Sequence, residues 1–344
     1  MKKFYDKKNI LITGHSGFKG GWASLFLNNI GSNVYGLSDM NIESGIYKTI
    51  KKEGVFKNEF KGDIGNSNFL TEHFKNNDYD FVFHFAAQGI VSKAHENPKK
   101  TIMTNVLGTL NLLEAANRNE NIKTIVIATT DKVYAEHNAE NNETYKLGGK
   151  EYYSASKAST EHIITAFNNT SKRGDLNIGV VRAGNVLGGG DYGKDRILTD
   201  LITSLNLKNP IDLRNPNSIR PWQYILDSII GYLLVAKYCN ENSLNEIFNL
   251  NSSLNNKYNV NDLVEKIIKY WNPDFKIDIN LENNQNFYES EILTINSDKA
   301  KNSLGWDPKF NIDDICKNIV EYEKSKNKFE WSLKHVEAFL SSYL

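Results

Sequence analysis

Two residues with acid–base side chains, Tyr153 and Lys157, lie four positions apart in a segment with a helical pattern. Side chains at i and i+4 share one face of a helix, so the phenol and the ammonium would be neighbours. A free phenol has a pKa of about 10 and is a poor base at neutral pH. Lowering that pKa by about 3 units takes roughly 4 kcal/mol, which two cations in a dry site can supply. The pair indicates a phenolate base at Tyr153 rather than Tyr152, because no lysine follows Tyr152 at i+4.

A second group of polar residues follows the apolar run Thr124–Ala128. In an open α/β sheet, ligands bind outside the carboxyl ends of the strands, so the end of such a run faces the crevice. There a threonine hydroxyl can bond a substrate oxygen, and an adjacent acid and amine can act as a proton-transfer pair. The sequence predicts Thr129 beside a cofactor and a catalytic group that comprises Thr130, Asp131, Lys132, Tyr153 and Lys157.

A glycine-rich loop lies between the apolar run Asn9–Thr13 and a helical pattern from about Gly20 to Asn29. Its spacing, G-x-x-G-x-x-G, lets the backbone approach a pyrophosphate, and the helix N-terminus offers free N–H groups to the negative charge. A strand, a glycine loop and a helix in this order predict a dinucleotide site. The loop residues predicted to contact the cofactor are Gly14, Ser16, Gly17, Phe18, Lys19 and Gly20.

Residues after the next two strand-like stretches indicate which dinucleotide binds. Asp39 ends the second stretch, where a carboxylate can bond the 2′-hydroxyl of an adenosine ribose. No arginine neighbours Asp39, which favours NAD over NADP because an arginine would be needed beside the extra phosphate. Asp63 and Ile64 follow the next stretch and are predicted to lie near the adenine.

Each pattern also has a purely structural explanation. A Tyr–Lys pair occurs on exposed helix faces, and a glycine loop can be a plain strand-to-helix turn. Asp39 could be a solvated loop acid, and the segment after Ala128 could be a polar strand cap. The order of all the patterns along one chain favours the functional explanation.

Apolar runs that alternate with helical patterns indicate the elements that position these residues. Continuous apolar strands separated by helices are typical of a parallel sheet buried on both faces, so the predicted fold class is α/β with a doubly wound parallel sheet. Beyond about Gly184 the pattern loosens. We expect Asn206–Asn217 to be mostly irregular and Asn251–Leu344 to mix short helices with loops. The strand-like runs are Asn9–Thr13, Ser32–Leu37, Phe81–Phe85, Thr124–Ala128, Asn177–Arg182 and Glu246–Leu250.

Charge and composition argue against several classes of protein. The 344 residues carry 41 basic and 41 acidic side chains, so no net field draws the chain to nucleic acid or to an anionic membrane. Cys239 and Cys316 lack the paired spacing of a zinc site or a disulfide framework, which predicts no metal. The N-terminus is charged and no later segment is apolar enough to span a bilayer, which predicts a cytoplasmic protein.

Taken together, these motifs resemble those of the extended short-chain dehydrogenases that modify nucleotide-activated sugars. The stretches that carry the resemblance are Gly14–Gly20, His84–Gln88, Thr130–Lys132 and Tyr153–Lys157. Further stretches make the chain similar to the CDP-glucose 4,6-dehydratases: Leu147–Gly149, Arg182–Asp191, Arg214–Pro216 and Arg220–Gln223. The similarity extends from residue 9 to about 240, with a weaker echo at Asp298–Pro308.

The resemblance implies a Rossmann-type doubly wound parallel sheet that binds NAD and a smaller mixed α/β C-terminal domain that binds the nucleotide-sugar substrate. The NAD-binding domain would comprise residues 1–184 and about 224–250, and the substrate domain would comprise 185–223 and 251–344. A homodimer, or a tetramer, is also implied, formed through the helices near 98–118 and 151–172.

The resemblance further implies roles for individual residues. Asn185 would contact the substrate diphosphate, and arginines nearby suit phosphate because their planar fork donates two bonds. Additional cofactor contacts would be Phe85, Ala86, Ala87, Gln88, Asn105, Tyr153 and Lys157. Substrate contacts would be Gln88, Thr130, Asn185, Arg196, Arg214 and Arg220.

Two stretches depart from these relatives. Gly89–His95 stands where they carry Pro-Leu-Val-Arg and then Ser-Tyr, and Ala135–Lys146 lacks their tryptophan. Both should lie near the sugar, so the identity of the hexose and of the nucleotide base stays open.

The predicted activity is dehydration of a CDP-activated hexose to the 4-keto-6-deoxy sugar nucleotide, by internal hydride transfer through bound NAD. Tyr153 would be the first base, Asp131 the acid for the departing 6-hydroxyl and Lys132 the base at C5. Alternatives are a dehydratase for another base or hexose, a C5-inverting dehydratase, a 4-epimerase, or a non-catalytic NAD-binding protein. An epimerase needs no acid–amine pair at 131 and 132, and a silent binder needs none of the catalytic residues.

Overall fold

Seven parallel strands form the central sheet, in the spatial order β10-β6-β5-β4-β1-β2-β3. The computed structural model describes residues 1–39, 45–136, 141–193, 195–213, 215–252, 254, 257–274, 279–281 and 293–343. Two further pairs, β7 with β9 and β8 with β11, form small parallel sheets. The strands are β1 (Asn9–Thr13), β2 (Asn33–Ser38), β3 (Asn58–Lys61), β4 (Phe81–His84), β5 (Thr124–Ala128), β6 (Asn177–Ala183), β7 (Val186–Leu187), β8 (Ile211–Leu213), β9 (Gln223–Tyr224), β10 (Glu246–Leu250) and β11 (Ile279–Leu281).

The central sheet forms because its inner strands are apolar on both faces. All seven residues of β6 and all five of β5 are buried. Neighbouring side chains alternate between the faces: Ile10 and Ile12 belong to one apolar cluster, whereas Leu11 belongs to the other. A strand with two buried faces needs helices on both sides, which a parallel sheet provides. The predicted α/β fold with a doubly wound parallel sheet is confirmed.

Helices cover both faces of this sheet. A π-helical stretch, Met103–Leu107, separates α6 from α7, and a 3-10 turn, Asp131–Val133, follows β5. The α-helices are α1 (Lys2–Tyr5), α2 (Phe18–Asn29), α3 (Gly45–Ile50), α4 (Ser67–Asn76), α5 (Val91–Glu96), α6 (Pro98–Ile102), α7 (Gly108–Asn117), α8 (Tyr152–Thr170), α9 (Ile197–Leu207), α10 (Ile225–Asn242), α11 (Val260–Trp271), α12 (Asp298–Leu304), α13 (Ile312–Lys324) and α14 (Lys328–Tyr343).

The C-terminal part is more regular than the sequence predicted. Strand β8 lies inside the segment expected to be irregular, and α13 and α14 are 13 and 16 residues long rather than short. Each has one apolar face; Phe339 of α14 packs on Phe26 of α2, with ring centroids 6.2 Å apart. The opposite faces carry lysine, glutamate and asparagine, which interrupt the apolar residues along the sequence. A pattern search based on continuous apolar runs therefore does not detect such helices.

One apolar cluster joins the two predicted domains. It extends from Ile10 in β1 to Leu263 in α11 and Ile315 in α13, so the N-terminal and C-terminal parts share a core. The boundary between an NAD-binding and a substrate-binding domain therefore stays a prediction. No helix in the described ranges is both long enough and apolar enough to cross a bilayer.

A buried ion pair connects α8 to β6. Glu161 Oε2 lies 2.5 Å from Arg182 Nη2, and both side chains are almost fully shielded from solvent. Arg182 also donates to the Tyr134 hydroxyl at 2.9 Å and to the Glu143 carbonyl at 3.1 Å, while the Thr129 hydroxyl donates to Glu161 at 2.7 Å. Burial alone would lower the pKa of Arg182, but its bonds to Glu161 raise it above the usual value. The pair thus ties α8 to the carboxyl edge of the sheet.

Removing one member of this pair should strongly destabilise the fold. We expect Arg182→Met to lower the free energy of unfolding by about 3–5 kcal/mol, because Glu161 would be left as an uncompensated buried charge. The double variant Glu161→Leu/Arg182→Met should lose less than Arg182→Met alone, since no charge remains buried. Urea unfolding of the two variants and the wild type measures this. Equal stability of wild type and Arg182→Met would contradict the assigned role.

Candidate active site

The carboxyl ends of β1, β4 and β5 meet at one edge of the sheet. The chain runs from β1 to β2 and β3 on one side and returns to β4 on the other, so the strand order reverses between β1 and β4. Ligands of open α/β sheets bind in the crevice at such a reversal. The glycine loop, the Phe85–Gln88 segment and the Thr129–Lys132 segment all start at this edge. Three of the predicted site segments therefore line one crevice.

Two glycines of the loop are required by close backbone contacts. Gly14 has φ +72°, and a Cβ there would lie 2.7 Å from the backbone nitrogen of Ala86. A Cβ at Gly20 would lie 2.2 Å from the carbonyl oxygen of Gly14. Only glycine lets the loop pack this tightly against the start of α2 and the end of β4.

The N-terminus of α2 has the donors that a diphosphate needs. Gly17 precedes the helix and supplies no side-chain cap. In the described part of the chain, no backbone carbonyl accepts from the N–H groups of Phe18, Lys19 or Gly20. Unsatisfied N–H groups at a helix N-terminus attract anionic oxygens, so this arrangement fits the diphosphate of a dinucleotide.

The residues predicted at the adenosine end lie beyond β2 and β3. Asp39 is exposed immediately after β2, and the Ser16 hydroxyl lies 2.8 Å from that of Ser38. Asp63 is exposed and accepts from the N–H of Gly65 at 2.7 Å, while Ile64 is buried. Asp39 is thus available to a ribose, whereas one carboxylate oxygen of Asp63 already accepts a hydrogen bond within the turn that Asp63 begins.

Gln88 and Asn105 hold the loop after β4 in place. Both amide hydrogens of Gln88 are donated within the protein, to the Ile90 carbonyl at 3.1 Å and to the Thr101 hydroxyl at 3.0 Å. Asn105, in the π-helical stretch, accepts from the Gln88 N–H at 2.8 Å and donates to the Gln88 carbonyl at 3.0 Å. The two side-chain amides position the exposed Ala87 and its neighbours. Direct contacts of Gln88 and Asn105 with a ligand stay a prediction.

Helix α8 brings Tyr153 to the crevice. Glu151 caps the helix by accepting the N–H groups of Tyr153 at 2.6 Å and Ser154 at 2.7 Å. Tyr153 is half-buried, whereas the adjacent Tyr152 is 47% exposed. One turn later, Lys157 is buried and its ammonium donates to the Ala128 carbonyl at 2.9 Å.

A chain of polar groups connects α8 with the end of β5. The Thr130 hydroxyl is close enough to that of Tyr153 to lower the pKa of the phenol, and it donates to Asp131 at 3.0 Å. Asp131 is only 2% exposed. The structure thus brings together a phenol, a hydroxyl and a carboxylate that can exchange protons.

Burial and neighbouring groups shift the pKa values of Tyr153 and Lys157. Burial raises the pKa of Tyr153 to about 12, with Thr130 lowering it and Asp131 raising it. Burial also lowers the pKa of Lys157 to about 7, assisted by the nearby Lys19. Desolvation thus outweighs the effect of the neighbouring groups on Tyr153, and stabilisation of the phenolate by two cations, Lys157 and a nicotinamide ring, stays a prediction. The phenolate needs an additional positive charge, such as that of an oxidised nicotinamide.

Thr129 and Lys132 differ in their surroundings. The Thr129 hydroxyl donates to Glu161 and so contributes to the buried ion pair, and its contact with a cofactor stays a prediction. Lys132 is half-buried, and its ammonium forms no hydrogen bond or ion pair with any residue that the structure describes. Lys132 is therefore available to a ligand in the crevice.

The predicted substrate residues lie on the loops after β6. Asn185 is half-buried, and its side-chain amide bonds no described residue. Arg196 lies 2.5 Å from Asp191 in an ion pair, and Arg220 is only 3% exposed. Arg214 lies outside the described residues.

Sequence reasoning missed Tyr232 of α10. Its hydroxyl lies 3.4 Å from the ammonium of Lys19, and its ring packs on that of Phe85 with centroids 5.0 Å apart. Tyr232 is also coupled electrostatically to Tyr153. It occurs within a continuous apolar helical pattern, so no signal separates it from core residues.

The divergent stretch after Gln88 forms helix α5 and touches the substrate side. Ser92 donates to Asp195 at 2.8 Å, and Asp195 has a left-handed backbone with φ +61°. The second divergent stretch, Ala135–Lys146, is described only in part, and residues 137–140 lie outside the described ranges. The location of both stretches beside the sugar stays a prediction.

Comparison with known proteins identifies the family. The family model for GDP-mannose 4,6 dehydratase matches residues 11–319. The CDP-glucose 4,6-dehydratase of Salmonella typhimurium is 32% identical over 356 aligned positions, which cover 100% of this chain and 98% of that protein. A UDP-glucuronate 4-epimerase of Thermodesulfobacterium geofontis is 27% identical over 94% of this chain and 98% of its own length.

Solved structures agree on the fold. The UDP-glucuronic acid 4-epimerase of Bacillus cereus, in complex with UDP-glucuronic acid and NAD, superposes with a TM-score of 0.79 at 21% identity, covering 92% of this chain and 98% of that one. The UDP-glucose 4-epimerase of Thermotoga maritima with UDP-glucose gives a TM-score of 0.77 at 22% identity, with the same coverage. At these identities the likeness establishes the architecture, and the sequence matches establish that the chain belongs to the GDP-mannose 4,6 dehydratase family of extended short-chain dehydrogenases.

Proposed function

We propose that the protein is an NAD-dependent nucleotide-sugar 4,6-dehydratase, a lyase, that acts on a CDP-activated hexose such as CDP-glucose. The observation that carries the proposal is the buried Asp131, bonded to Thr130 and adjacent to Tyr153. Loss of a hydroxyl as water needs an acid beside the base, whereas 4-epimerisation does not. The 32% identity to a CDP-glucose 4,6-dehydratase over the whole chain supports the choice of nucleotide.

The crevice fits NAD. The uncapped start of α2, packed closely by Gly14 and Gly20, suits the diphosphate, and the exposed Asp39 suits the adenosine ribose. When bound, NAD would take a hydride from C4 of the hexose and return it at C6, so no external reductant is needed.

The residues of the crevice supply the proton transfers. Tyr153 accepts the proton of the sugar 4-hydroxyl, and Thr130 bonds the same oxygen. The resulting 4-ketone acidifies the hydrogen on C5, and Lys132 is the candidate base because its ammonium has no described partner. Asp131 then protonates the 6-hydroxyl as it leaves. Lys132 must lose a proton before it can act as this base.

Substrate binding relies on the loops after β6. Asn185 and Arg220 are proposed to bond the diphosphate, since an unpartnered amide and a buried guanidinium suit anionic oxygens. Arg196 is a weaker candidate because Asp191 already neutralises it.

We also propose that the protein is a cytoplasmic homodimer. Ile102, Met103 and Tyr152 are apolar or aromatic residues with exposed fractions of 47%, 43% and 47%, and they lie on α6, the π-helical stretch and α8. Exposed apolar side chains on neighbouring helices favour burial against a second copy.

Asp39 should determine the preference of the protein for NAD over NADP. Wild-type protein should bind NAD at least tenfold more tightly than NADP, because the Asp39 carboxylate repels a 2′-phosphate. Asp39→Asn removes the charge at nearly constant size and should reduce this preference mainly by strengthening NADP binding. Equilibrium titration of both proteins with both dinucleotides measures the effect. Equal affinity of the wild type for NAD and NADP would refute the assignment of Asp39.

Tyr153 should be the catalytic base that accepts the proton of the 4-hydroxyl. Tyr153→Phe should retain the fold and NAD binding but lose about 10²–10⁴-fold in kcat, because only the phenolic oxygen is removed. Tyr152→Phe is the matched control on the neighbouring, exposed phenol and should stay near wild-type turnover. Steady-state kinetics with CDP-glucose compares the two. Similar kcat values for both variants would place the base elsewhere.

The fate of a deuterium atom at C4 separates dehydration from epimerisation. CDP-glucose deuterated at C4 should give a product with deuterium on the C6 methyl group and a solvent-derived proton at C5. NMR and mass spectrometry identify both positions, and CDP-glucose should be preferred over dTDP-, UDP- and GDP-hexoses.

Asp131→Asn should stall after oxidation at C4, because an amide cannot protonate the departing 6-hydroxyl. If wild-type protein retains deuterium at C4 and releases no water, it is not a dehydratase. If Asp131→Asn turns over normally, Asp131 is a strand cap and not the acid.

A further inference from the structure

Lys19 is the second residue of α2, but its side chain does not extend into solvent. Its ammonium lies 3.4 Å from the Tyr232 hydroxyl and 5.7 Å from the centre of the Tyr232 ring. Among the residues that the structure describes, no carboxylate forms an ion pair with Lys19, and Tyr232 is the only hydrogen-bonding partner of its ammonium. A cation is thus held at the positive end of a helix dipole, where Asp131 and Asp191 attract it but burial outweighs that attraction, which costs stability. Such an arrangement indicates a functional role for the charge.

The position of Lys19 along the crevice narrows that role. Tyr232 packs on Phe85, directly after β4, and is coupled to Tyr153. Lys19 itself interacts electrostatically with Asp131 and with Lys157. The ammonium therefore lies on the β4–β5 side of the glycine loop, whereas Asp39 marks the β2 side.

This placement puts Lys19 at the reactive end of a bound dinucleotide. If the diphosphate lies at the start of α2 and the adenosine lies beside Asp39, the nicotinamide half extends over β4 and β5 toward Tyr153. Burial lowers the pKa of Lys19 to about 8, so the charged form still predominates at neutral pH. Lys19 thus contributes a positive charge next to a ring whose own charge changes during the reaction.

We propose that the Lys19 ammonium makes the bound nicotinamide a stronger hydride acceptor, by destabilising its positively charged oxidised form relative to its neutral reduced form. The inference rests on the proposed function, because it requires NAD in the crevice. In the half-reaction, C4–H of the hexose supplies the hydride, the 4-hydroxyl proton goes to Tyr153, and the ring changes from a cation to a neutral dihydropyridine. Repulsion from Lys19 is relieved in that step, so the 4-keto intermediate is favoured.

The experiment measures how the protein partitions the two forms of the cofactor. Wild type, Lys19→Met and Lys19→Arg are equilibrated with equal concentrations of NAD⁺ and NADH, and the bound fraction is separated and its two forms are quantified. Lys19→Met should raise the bound ratio of oxidised to reduced form by about tenfold or more, since one like charge near the ring is removed. Lys19→Arg keeps the charge and should leave the ratio near that of wild type.

A matched control and a second variant keep the outcome decisive. Lys123→Met removes a lysine that pairs with Asp175 beside the amino end of β5, remote from the crevice, and should not change the ratio. Lys19→Gln replaces Lys19→Met if the apolar variant does not fold. Weaker binding of both forms at an unchanged ratio would mean that Lys19 anchors the cofactor diphosphate, and a loss of CDP binding alone would mean that it anchors the substrate. Either result overturns the inference while leaving the proposed function intact, whereas a wild type that binds neither form overturns both.

Discussion

The position of helix α8 relative to β5 is the constraint on which the site depends. Two sets of buried polar contacts fix it, one on each side of Lys157. Before Lys157, the Ser156 hydroxyl accepts from Asn105 at 2.8 Å; after it, Thr160 donates to the Asn105 carbonyl at 2.9 Å. Glu161 then pairs with Arg182 of β6. Directional bonds of this kind fix both rotation and translation of a helix, which apolar packing alone leaves adjustable.

The same contacts extend from the helix to the loops of the crevice. Asn105 also holds the backbone of Gln88, so the loop after β4 and the catalytic helix share one anchor. Arg182 reaches Tyr134 and the Glu143 carbonyl, so the segment after the 3-10 turn is held by the ion pair. The two segments that depart from the relatives are therefore attached to a fixed frame, which lets their sequences vary without moving Tyr153 or Lys157.

The sequence predicted the strands of the central sheet well, because strand formation depends on local apolar runs. The bounds of β1, β5 and β10 coincide with the predicted runs Asn9–Thr13, Thr124–Ala128 and Glu246–Leu250. The roles of Thr129 and Gln88 as internal hydrogen-bonding residues could not be read in the same way. Their partners lie 32 and 13 positions away, and no periodic pattern encodes such pairs. The effect of burial on the Tyr153 pKa could not be predicted either, because i, i+4 spacing reports a neighbouring charge but not the loss of solvent around it.

Charge is distributed very differently in the crevice and in the whole chain. Acidic and basic side chains balance over the 344 residues, so long-range attraction of an anion is absent. Within the crevice, Lys19 lies at the positive end of α2 and repels Lys157, while Asp131 and Asp191 attract it. Burial makes the charges of Lys19 and Lys157 costly, and the cost falls when the anionic diphosphate of a dinucleotide replaces the lost solvent. A dinucleotide therefore completes the electrostatics of this site as well as its chemistry, which explains why desolvation opposes the phenolate of Tyr153 until positive charge from the ligand offsets it.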